Sequence, residues 1–253
     1  MTGTARRAVV LVPYLTHIEP ACERGLRELE RRGIEIRRHA ATAAIDRTRS
    51  ELATAALDDG FDELIWIDSD IAFEADDLQK LRGHDLALAG GIYPKKGPKA
   101  FAAYFEPGTE VLQLGTNGGP SPVRYLGLGF LCTQRRVYAD VQQRFSLPRC
   151  EARFGAPAVP YFLPMVIEDR APPGGYWYLG EDYAFCERAR QAGHPLIVDT
   201  TIRLGHVGGY QYSWEDAVQQ QPRVAGLTLR LSAATAATAA APAPSSATRG
   251  DDG

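Results

Sequence analysis

Two aspartates separated by one residue follow a short apolar run. The run Leu64-Ile65-Trp66-Ile67 has the composition of a buried strand, and Asp68-Ser69-Asp70 comes immediately after it. In an open parallel sheet, ligands bind outside the carboxyl ends of the strands. Carboxylates placed there can hold a divalent cation, which neutralises the negative charge that gathers on a leaving group. The alternative is structural, because a carboxylate in a strand-to-helix turn can also cap the following helix.

A second carboxylate pair opens a helix farther along the chain. Gly180-Glu181-Asp182-Tyr183 follows a segment rich in aromatic residues, and the pattern predicts a helix that begins at Glu181. Both carboxylates would then lie at the positive end of the helix and at the rim of a cleft, where one could act as a general base. Helix capping is the competing interpretation, because Asp and Glu are common in a first turn.

A histidine flanked by glycines follows a predicted short strand. In Leu204-Gly205-His206-Val207-Gly208-Gly209-Tyr210 the glycines let the backbone approach a ligand closely, and the imidazole of His206 suits a transition metal such as manganese. A lone histidine is more often structural or simply exposed. His206 is therefore a candidate metal ligand whose partner the sequence alone does not identify.

The first ninety residues alternate strands with helices. The predicted strands cover Ala8–Val12, Ile34–Arg38, Leu64–Ile67 and Leu86–Tyr93, and the predicted helices cover Pro20–Arg32, Ala43–Asp59 and Glu74–Leu81. Strand-helix-strand repeats of this kind predict a parallel, Rossmann-like sheet.

The second half is less regular. It is expected to contain a strand over Val123–Thr133, a helix over Arg135–Phe145, a long ordered loop over Leu147–Gly180, a helix over Glu181–Gly193 with Phe185 and Ala189 on its inner face, and strands over Leu196–Val198 and Ile202–Leu204. From Ser232 the chain is rich in Ala, Thr, Pro and Ser, and this composition predicts a disordered, dispensable tail.

Composition narrows the class of protein. With 253 residues, 45% of them hydrophobic and 23% charged, the chain can bury one sizeable core. Its net charge of -3 argues against a nucleic-acid partner or an anionic membrane surface. The four cysteines lack zinc-ligand spacing, and we interpret them as reduced thiols of a cytoplasmic protein. The apolar run that Pro13 interrupts is too short for a signal peptide, and no stretch is long enough to span a bilayer.

In their order along the chain, these pieces resemble the GT-A glycosyltransferases, especially the inverting family-two type, over roughly Val9 to Tyr210. The resemblance also includes the first strand ending at Pro13, the stretch Ile45-Asp46-Arg47-Thr48-Arg49-Ser50, and Gly127-Leu128-Gly129-Phe130 ahead of Arg135-Arg136. It implies an α/β fold with a single Rossmann-like GT-A domain and a mostly parallel central sheet flanked by helices. That domain would cover residues 1–231, with a nucleotide-sugar-binding half over about 8–95, an acceptor and catalytic half over about 96–215, and the tail over 232–253.

The resemblance also implies roles for individual residues. Asp182 would be the general base, and Asp70 and His206 would bind the metal, Mn²⁺ or Mg²⁺. The other implied positions are Pro13, Tyr14, Arg49, Asp68 and Ser69 on the nucleotide side, and Glu181, Trp177 and Gly129 on the acceptor side. The donor would be a UDP, GDP or dTDP sugar, and the acceptor hydroxyl or amine would belong to a small molecule or a glycan. Lys95 and Lys96 receive no role, since a solvated charge pair is the simpler interpretation.

Three alternatives share parts of this pattern. A haloacid-dehalogenase-like phosphatase would use Asp68 and Asp70, but that group expects Thr or Val where this chain has Ala72, and its motif usually lies on the first strand. A catalytically silent nucleotide-sugar binder is a second alternative, and the intact Glu181, Asp182 and His206 argue against such decay. Sugar nucleotidyltransferases use a glycine-rich loop that is absent after Val12. Nothing in the sequence identifies the sugar, the base, the acceptor or the oligomeric state.

Overall fold

The computed structural model describes residues 6–97, 99–155, 157–169, 174–218 and 225–231. Its helices are α1 (Pro20–Arg31), α2 (Ile45–Asp58), α3 (Ala75–Gly83), α4 (Arg135–Phe145), α5 (Glu181–Gln191) and α6 (Trp214–Val218). Its strands are β1 (Ala8–Tyr14), β2 (Glu35–Ala40), β3 (Glu63–Ile67), β4 (Ile71–Ala72), β5 (Leu88–Gly91), β6 (Ala103–Phe105), β7 (Val111–Gly115), β8 (Pro120–Leu126), β9 (Phe130–Gln134), β10 (Met165–Asp169), β11 (Gly175–Leu179), β12 (Leu196–Asp199), β13 (Gly205–Val207), β14 (Gln211–Tyr212) and β15 (Gly226–Arg230).

The central sheet has eight strands in the order β2-β1-β3-β9-β5-β12-β8-β6. β1 is parallel to both β2 and β3, and β5 is parallel to β12. β9 lies antiparallel between β3 and β5, and β8 is antiparallel to β12 and β6. Thus β2, β1, β3, β5, β12 and β6 run in one direction, and only β9 and β8 of this sheet are reversed. The expected α/β class, with a mostly parallel sheet, is confirmed.

Both faces of the strands β1 and β3 are buried, which explains their uninterrupted apolar runs. In β1, Val9 and Leu11 join one buried cluster, whereas Val10 and Val12 join the other. Helices α2, α4 and α5 contribute to the first cluster, and α1 and α3 contribute to the second. Strands covered by helices on both faces need apolar residues at every position rather than at alternate ones. Each fully buried Val or Leu side chain is worth about 1.5–3 kcal/mol.

The predicted strand over Val123–Thr133 is wrong, because the chain reverses in its middle. β8 ends at Leu126 and β9 begins at Phe130, and β9 enters the sheet antiparallel to β3. The turn between them contains Gly127 and Gly129, where an added Cβ would lie 2.4 and 2.7 Å from the Tyr93 hydroxyl oxygen. Only glycine leaves room for that tyrosine at these two positions.

The expected long loop over Leu147–Gly180 is also wrong in part, because it contains a β-hairpin. β10 and β11 pair antiparallel, with Ile167 opposite Trp177 and Val166 opposite Tyr178. Ile167 and Trp177 pack against the core, whereas Val166 and Tyr178 are exposed. The alternation of inward and outward side chains gives the hairpin one buried face and one open face.

The last predicted strand lies three residues farther along the chain. Ile202 and Leu204 are apolar because they fill the cluster under α1 and α3, not because they pair in a sheet. The strand is β13, in which His206 pairs with Ile71 of β4 and with Tyr212 of β14. This correction moves His206 from a position beyond a strand to the middle of one.

The other predictions about the fold concern two helices, the cysteines, membrane-spanning segments and the tail. The helix over Arg135–Phe145 is confirmed, as are the inward positions of Phe185 and Ala189. All four cysteines have free thiols. Within the described ranges, no helix has the length and apolar character needed to cross a membrane. The predicted tail from Ser232 lies outside the described residues.

Candidate functional site

The turn that carries the two aspartates is anchored from both sides. The backbone N–H of Asp68 donates to the Gly129 carbonyl at 3.0 Å, and the N–H of Glu19 donates to the Ser69 carbonyl at 2.8 Å. The Asp68 and Asp70 side chains are each 29% exposed. The turn after β3 is therefore fixed, while both carboxylates stay accessible to a ligand.

A buried arginine lies beneath Asp68. Arg49 of α2 is 4% exposed, and its Nη2 donates to Asp68 Oδ1 at 2.7 Å. Its Nε lies 3.9 Å from Glu181 Oε1, and its guanidinium carbon lies 5.5 Å from the centre of the Trp66 ring. Burial alone would lower the pKa of Arg49, but the charges of Asp68 and Glu181 raise it above its ordinary value. Arg49 thus connects the first carboxylate site to the second.

Asp70 and His206 face each other across the edge of β4 and β13. Asp70 Oδ2 lies 3.5 Å from His206 Nε2, and the other ring nitrogen, Nδ1, contacts the Pro94 carbonyl oxygen at 2.8 Å. A carbonyl only accepts hydrogen bonds, so Nδ1 carries a proton and donates it. In the neutral ring Nε2 therefore presents its lone pair toward Asp70. A partner that fixes the tautomer in this way is typical of a metal-binding histidine.

These two side chains fit a divalent cation as a pair. Two ligands about 2.1 Å from one ion at a right angle to each other are about 3 Å apart, close to the observed 3.5 Å. Among the described residues, no group of three or more His, Cys, Asp or Glu side chains could hold a metal. Asp70 and His206 would consequently leave most of the coordination sphere to oxygens of a substrate and to water, as phosphate-bound Mg²⁺ sites do.

Lys96 also contacts this pair, although the sequence interpretation left it out. Its Nζ donates to Asp70 Oδ2 at 2.6 Å, and its side chain is 37% exposed. Burial alone would raise the pKa of Asp70, but the contacts with His206 and Lys96 lower it below its ordinary value. Asp70 is thus ionised at neutral pH, as a metal ligand must be.

Tyr93 packs against the site, and the interpretation of the sequence did not include it. Its hydroxyl accepts a hydrogen bond from the Gly129 N–H at 3.0 Å, and its ring meets the His206 ring edge to face at 5.3 Å between centroids. Burial raises the pKa of Tyr93 well above its ordinary value, and the charges of Asp68 and Asp182 act in the same direction. Gly129, expected on the acceptor side, therefore links Tyr93 to the Asp68 backbone.

Gly129→Ala is expected to weaken both the fold and the site. The new Cβ would lie 2.7 Å from the Tyr93 hydroxyl oxygen and 3.0 Å from Ile71 Cγ1, so a buried ring would have to shift. Overpacking of this kind costs about 1–3 kcal/mol. The thermal unfolding midpoint should fall, and metal affinity with it, because Tyr93 packs on His206. Gly119→Ala is the matched control, since nothing lies within 4 Å of its added Cβ; equal melting curves for the two variants would contradict the argument.

Asp182 lies at the N-terminus of α5, after Gly180 in extended backbone. Its Oδ1 accepts the Tyr183 N–H at 2.7 Å. Burial, and after it the negative charge of Glu181, raises the pKa of Asp182 to about 7. Burial lowers the pKa of Lys95, and the negative charge of Asp182 acts in the opposite direction. A carboxyl group that titrates near neutrality is suited to general-base catalysis.

The remaining expected residues are Pro13, Tyr14 and Trp177, and they lie in two different parts of the fold. Pro13 and Tyr14 end β1, the strand next to β3, so they belong to the same carboxyl edge of the sheet. Trp177 faces the body of the protein: its Nε1 donates to Asp169 Oδ2 at 2.7 Å, and its ring meets Tyr104 at 5.0 Å. The aromatic side chains of this hairpin that face outward are Tyr176 and Tyr178, which are 80% and 75% exposed.

Comparison of the chain with known proteins finds likeness in structure but not in sequence. No protein-family model matches the chain. No curated protein matches it either. The solved structure of A197 from STIV is similar over 86% of this chain and 96% of that chain, with a TM-score of 0.54 and 17% sequence identity. At this identity the likeness shows a shared fold and nothing about activity.

Two other solved structures are similar at lower scores. GalNAc-T7 with UDP, GalNAc and Mn²⁺ matches over 85% of this chain and 45% of that chain, with a TM-score of 0.44 and 10% identity. A glycosyltransferase involved in the glycosylation of the major capsid of PBCV-1 matches over 52% of this chain and 62% of that chain, with a TM-score of 0.28 and 12% identity. The structural neighbours thus include glycosyltransferases.

Proposed function

We propose that this protein is a metal-dependent glycosyltransferase of the GT-A type that transfers a sugar from a nucleoside diphosphate to an acceptor hydroxyl or amine with inversion. One observation carries the proposal. The Asp70–His206 pair fits a divalent cation, and Arg49 joins the neighbouring Asp68 to Glu181, the residue next to Asp182, whose pKa is raised to about 7.

The residues divide into a donor side and an acceptor side. Asp70 and His206 would hold Mn²⁺ or Mg²⁺, which neutralises charge on the departing diphosphate when it is bound. Asp68, fixed by Arg49 at 2.7 Å, would accept hydrogen bonds from the ribose or base. Pro13 and Tyr14 would line the nucleotide pocket from the adjacent strand.

Asp182 would act on the acceptor. It would take the proton of the acceptor hydroxyl or amine while that atom forms a bond to the anomeric carbon. The bond from the anomeric carbon to the phosphate oxygen breaks on the opposite face, and its electron pair leaves with the nucleoside diphosphate. Attack opposite the leaving group inverts the configuration at the anomeric carbon.

The domain limits and the location of the protein belong to the same proposal. A single catalytic domain over residues 1–231 would contain both halves of the site, and the tail over 232–253 would have no part in catalysis. The free thiols of the four cysteines suit a reducing compartment such as the cytoplasm.

Donor binding is expected to depend on the metal. Each of the UDP, GDP and dTDP sugars would be titrated by calorimetry in Mn²⁺ and again in EDTA, with a thermal-shift screen to select the base. The matching donor should bind in Mn²⁺ and lose most of its affinity in EDTA. Equal affinity under both conditions would rule out the metal role.

Two controls separate the proposed activity from its alternatives. Tight donor binding with no transfer to any acceptor and no donor hydrolysis would indicate a silent nucleotide-sugar binder. Phosphate release from p-nitrophenyl phosphate in the absence of a nucleotide sugar would indicate a phosphatase that uses Asp68 and Asp70.

A further inference from the structure

Lys96 occupies the same carboxylate oxygen that the proposed metal would use. Its Nζ lies 2.6 Å from Asp70 Oδ2, and that oxygen is also the one 3.5 Å from His206 Nε2. A divalent cation bound to this oxygen would stand within a few ångströms of the ammonium, and two like charges that close repel each other. Lys96 and the cation are therefore competing partners of Asp70.

Lys96 has a partly exposed side chain on a turn that is held at its base by hydrogen bonds. The base of its turn is closed by hydrogen bonds from the Lys95 N–H to the Ala100 carbonyl at 2.7 Å and from the Ala102 N–H to the Tyr93 carbonyl at 2.8 Å. The lysine stem passes Gly208, whose added Cβ would lie 3.4 Å from Lys96 Cδ. A partly exposed lysine on a fixed turn can swing its charge over several ångströms.

The same turn also prepares the metal ligand. The Pro94 carbonyl accepts a hydrogen bond from the His206 Nδ1–H group at 2.8 Å, which leaves Nε2 free to coordinate. Two residues later the chain presents Lys96 to Asp70. Pro94 thus holds His206 in the tautomer that can coordinate a metal, and Lys96 of the same turn places a positive charge next to the Asp70 carboxylate.

We propose that Lys96 is an exchangeable cation. It neutralises Asp70 in the metal-free protein, leaves that carboxylate when the divalent cation binds, and then pairs with the diphosphate of the donor. This inference rests on the proposed function, because the diphosphate is the donor's. It assigns one residue two opposite effects: Lys96 weakens the binding of the metal alone and strengthens the binding of the donor with metal.

Lys96→Met is the test, because methionine keeps much of the stem and removes the charge. Mn²⁺ binding to the protein alone would be measured by the loss of the free Mn²⁺ signal in electron paramagnetic resonance. Affinity for UDP, GDP and dTDP would be measured by calorimetry in saturating Mn²⁺. The variant should bind Mn²⁺ about five- to tenfold more tightly and the preferred diphosphate about tenfold more weakly. Lys99→Met removes an exposed charge from the same turn and should change neither affinity more than about twofold.

The possible results are distinct. Mn²⁺ affinity that is unchanged or weaker in Lys96→Met overturns the exchange, and so does an equal gain in Lys99→Met, which would indicate a general charge effect. If neither the wild type nor Lys96→Met binds Mn²⁺, the exchange is overturned as well. Mn²⁺-dependent donor binding and transfer together with an unchanged Mn²⁺ affinity in Lys96→Met would overturn the exchange and uphold the proposed function, so the two proposals fail separately.

Discussion

Asp182→Asn is expected to lower turnover about a hundredfold to ten-thousandfold while donor affinity changes little. The substitution keeps the shape of the side chain and removes its ability to take a proton. Asp182 Oδ1 accepts the Tyr183 N–H at 2.7 Å, and the asparagine oxygen can keep that hydrogen bond. The variant would be measured by steady-state transfer together with calorimetry of the donor in Mn²⁺. A defect confined to donor affinity would remove Asp182 from the acceptor side and direct attention to Glu181.

The pH dependence gives an independent check on the same assignment. The pKa of Asp182 is about 7, raised first by burial and then by the charge of Glu181. A base must be ionised to act, so turnover should rise with pH to a plateau above about 7. Glu181→Gln removes the neighbouring negative charge, and the acid limb of the profile should move to lower pH. If the acid limb of the profile does not move in Glu181→Gln, a group other than Asp182 controls the rate.

Stability should change in the opposite direction to turnover. The folded protein holds the pKa of Asp182 above the ordinary value of 3.8, so the folded state binds this proton more readily than the unfolded state does. The associated stability is present below pH 3.8 and is lost as pH rises through about 7. Asparagine does not ionise, so Asp182→Asn should melt at a higher temperature than the wild type at pH 8, and the difference should shrink toward pH 4. A slow enzyme that is more stable cannot owe its defect to unfolding.

The parts of the fold that the sequence predicted well are those set by local burial. The runs that became β1 and β3 are apolar at every position because both of their faces are covered, and that pattern is readable without knowledge of neighbours. The limits of α4 were predicted correctly because Arg135 follows a fully buried strand and Phe145 ends the periodic pattern.

The errors occurred where a local signal was outweighed by the general composition of a segment. Gly127 and Gly129 are turn-forming residues inside the apolar run over Val123–Thr133, and the chain reverses at these glycines, between β8 and β9 and next to the Tyr93 hydroxyl. The hairpin of β10 and β11 was obscured by its proline, glycine and aromatic content, although Trp177 between the exposed Tyr176 and Tyr178 follows the period of a strand.

For the candidate site too, local features could be predicted from the sequence and contacts between distant residues could not. That Asp68, Asp70 and Asp182 lie at the ends of elements could be predicted, because the end of an element is a local property. Which groups would meet could not: Asp70 reaches His206 only through the pairing of β4 with β13. The contact between Lys96 and Asp70 could not be predicted, because adjacent lysines are usually solvated and only the folded turn brings Lys96 to Asp70.

Asp70→Asn is expected to abolish metal-dependent donor binding and turnover together, each by about a hundredfold or more, since the metal supplies several kcal/mol of charge stabilisation. The fold should survive, because the Asp70 backbone carbonyl still accepts the Val207 N–H at 2.7 Å. Asp76→Asn is the matched control: it removes a carboxylate that is 81% exposed from the next helix.

The measurement that decides the role of Asp70 is the rise in melting temperature on adding Mn²⁺ and donor. A ligand that binds only the folded state raises the melting temperature by mass action, so the rise should vanish in Asp70→Asn and persist in Asp76→Asn and in Asp182→Asn. Asp182→Asn would then bind donor without turning it over, and Asp70→Asn would do neither. If Asp70→Asn kept the full rise, the metal would have to bind elsewhere, and the pairing of Asp70 with His206 would be only a structural contact.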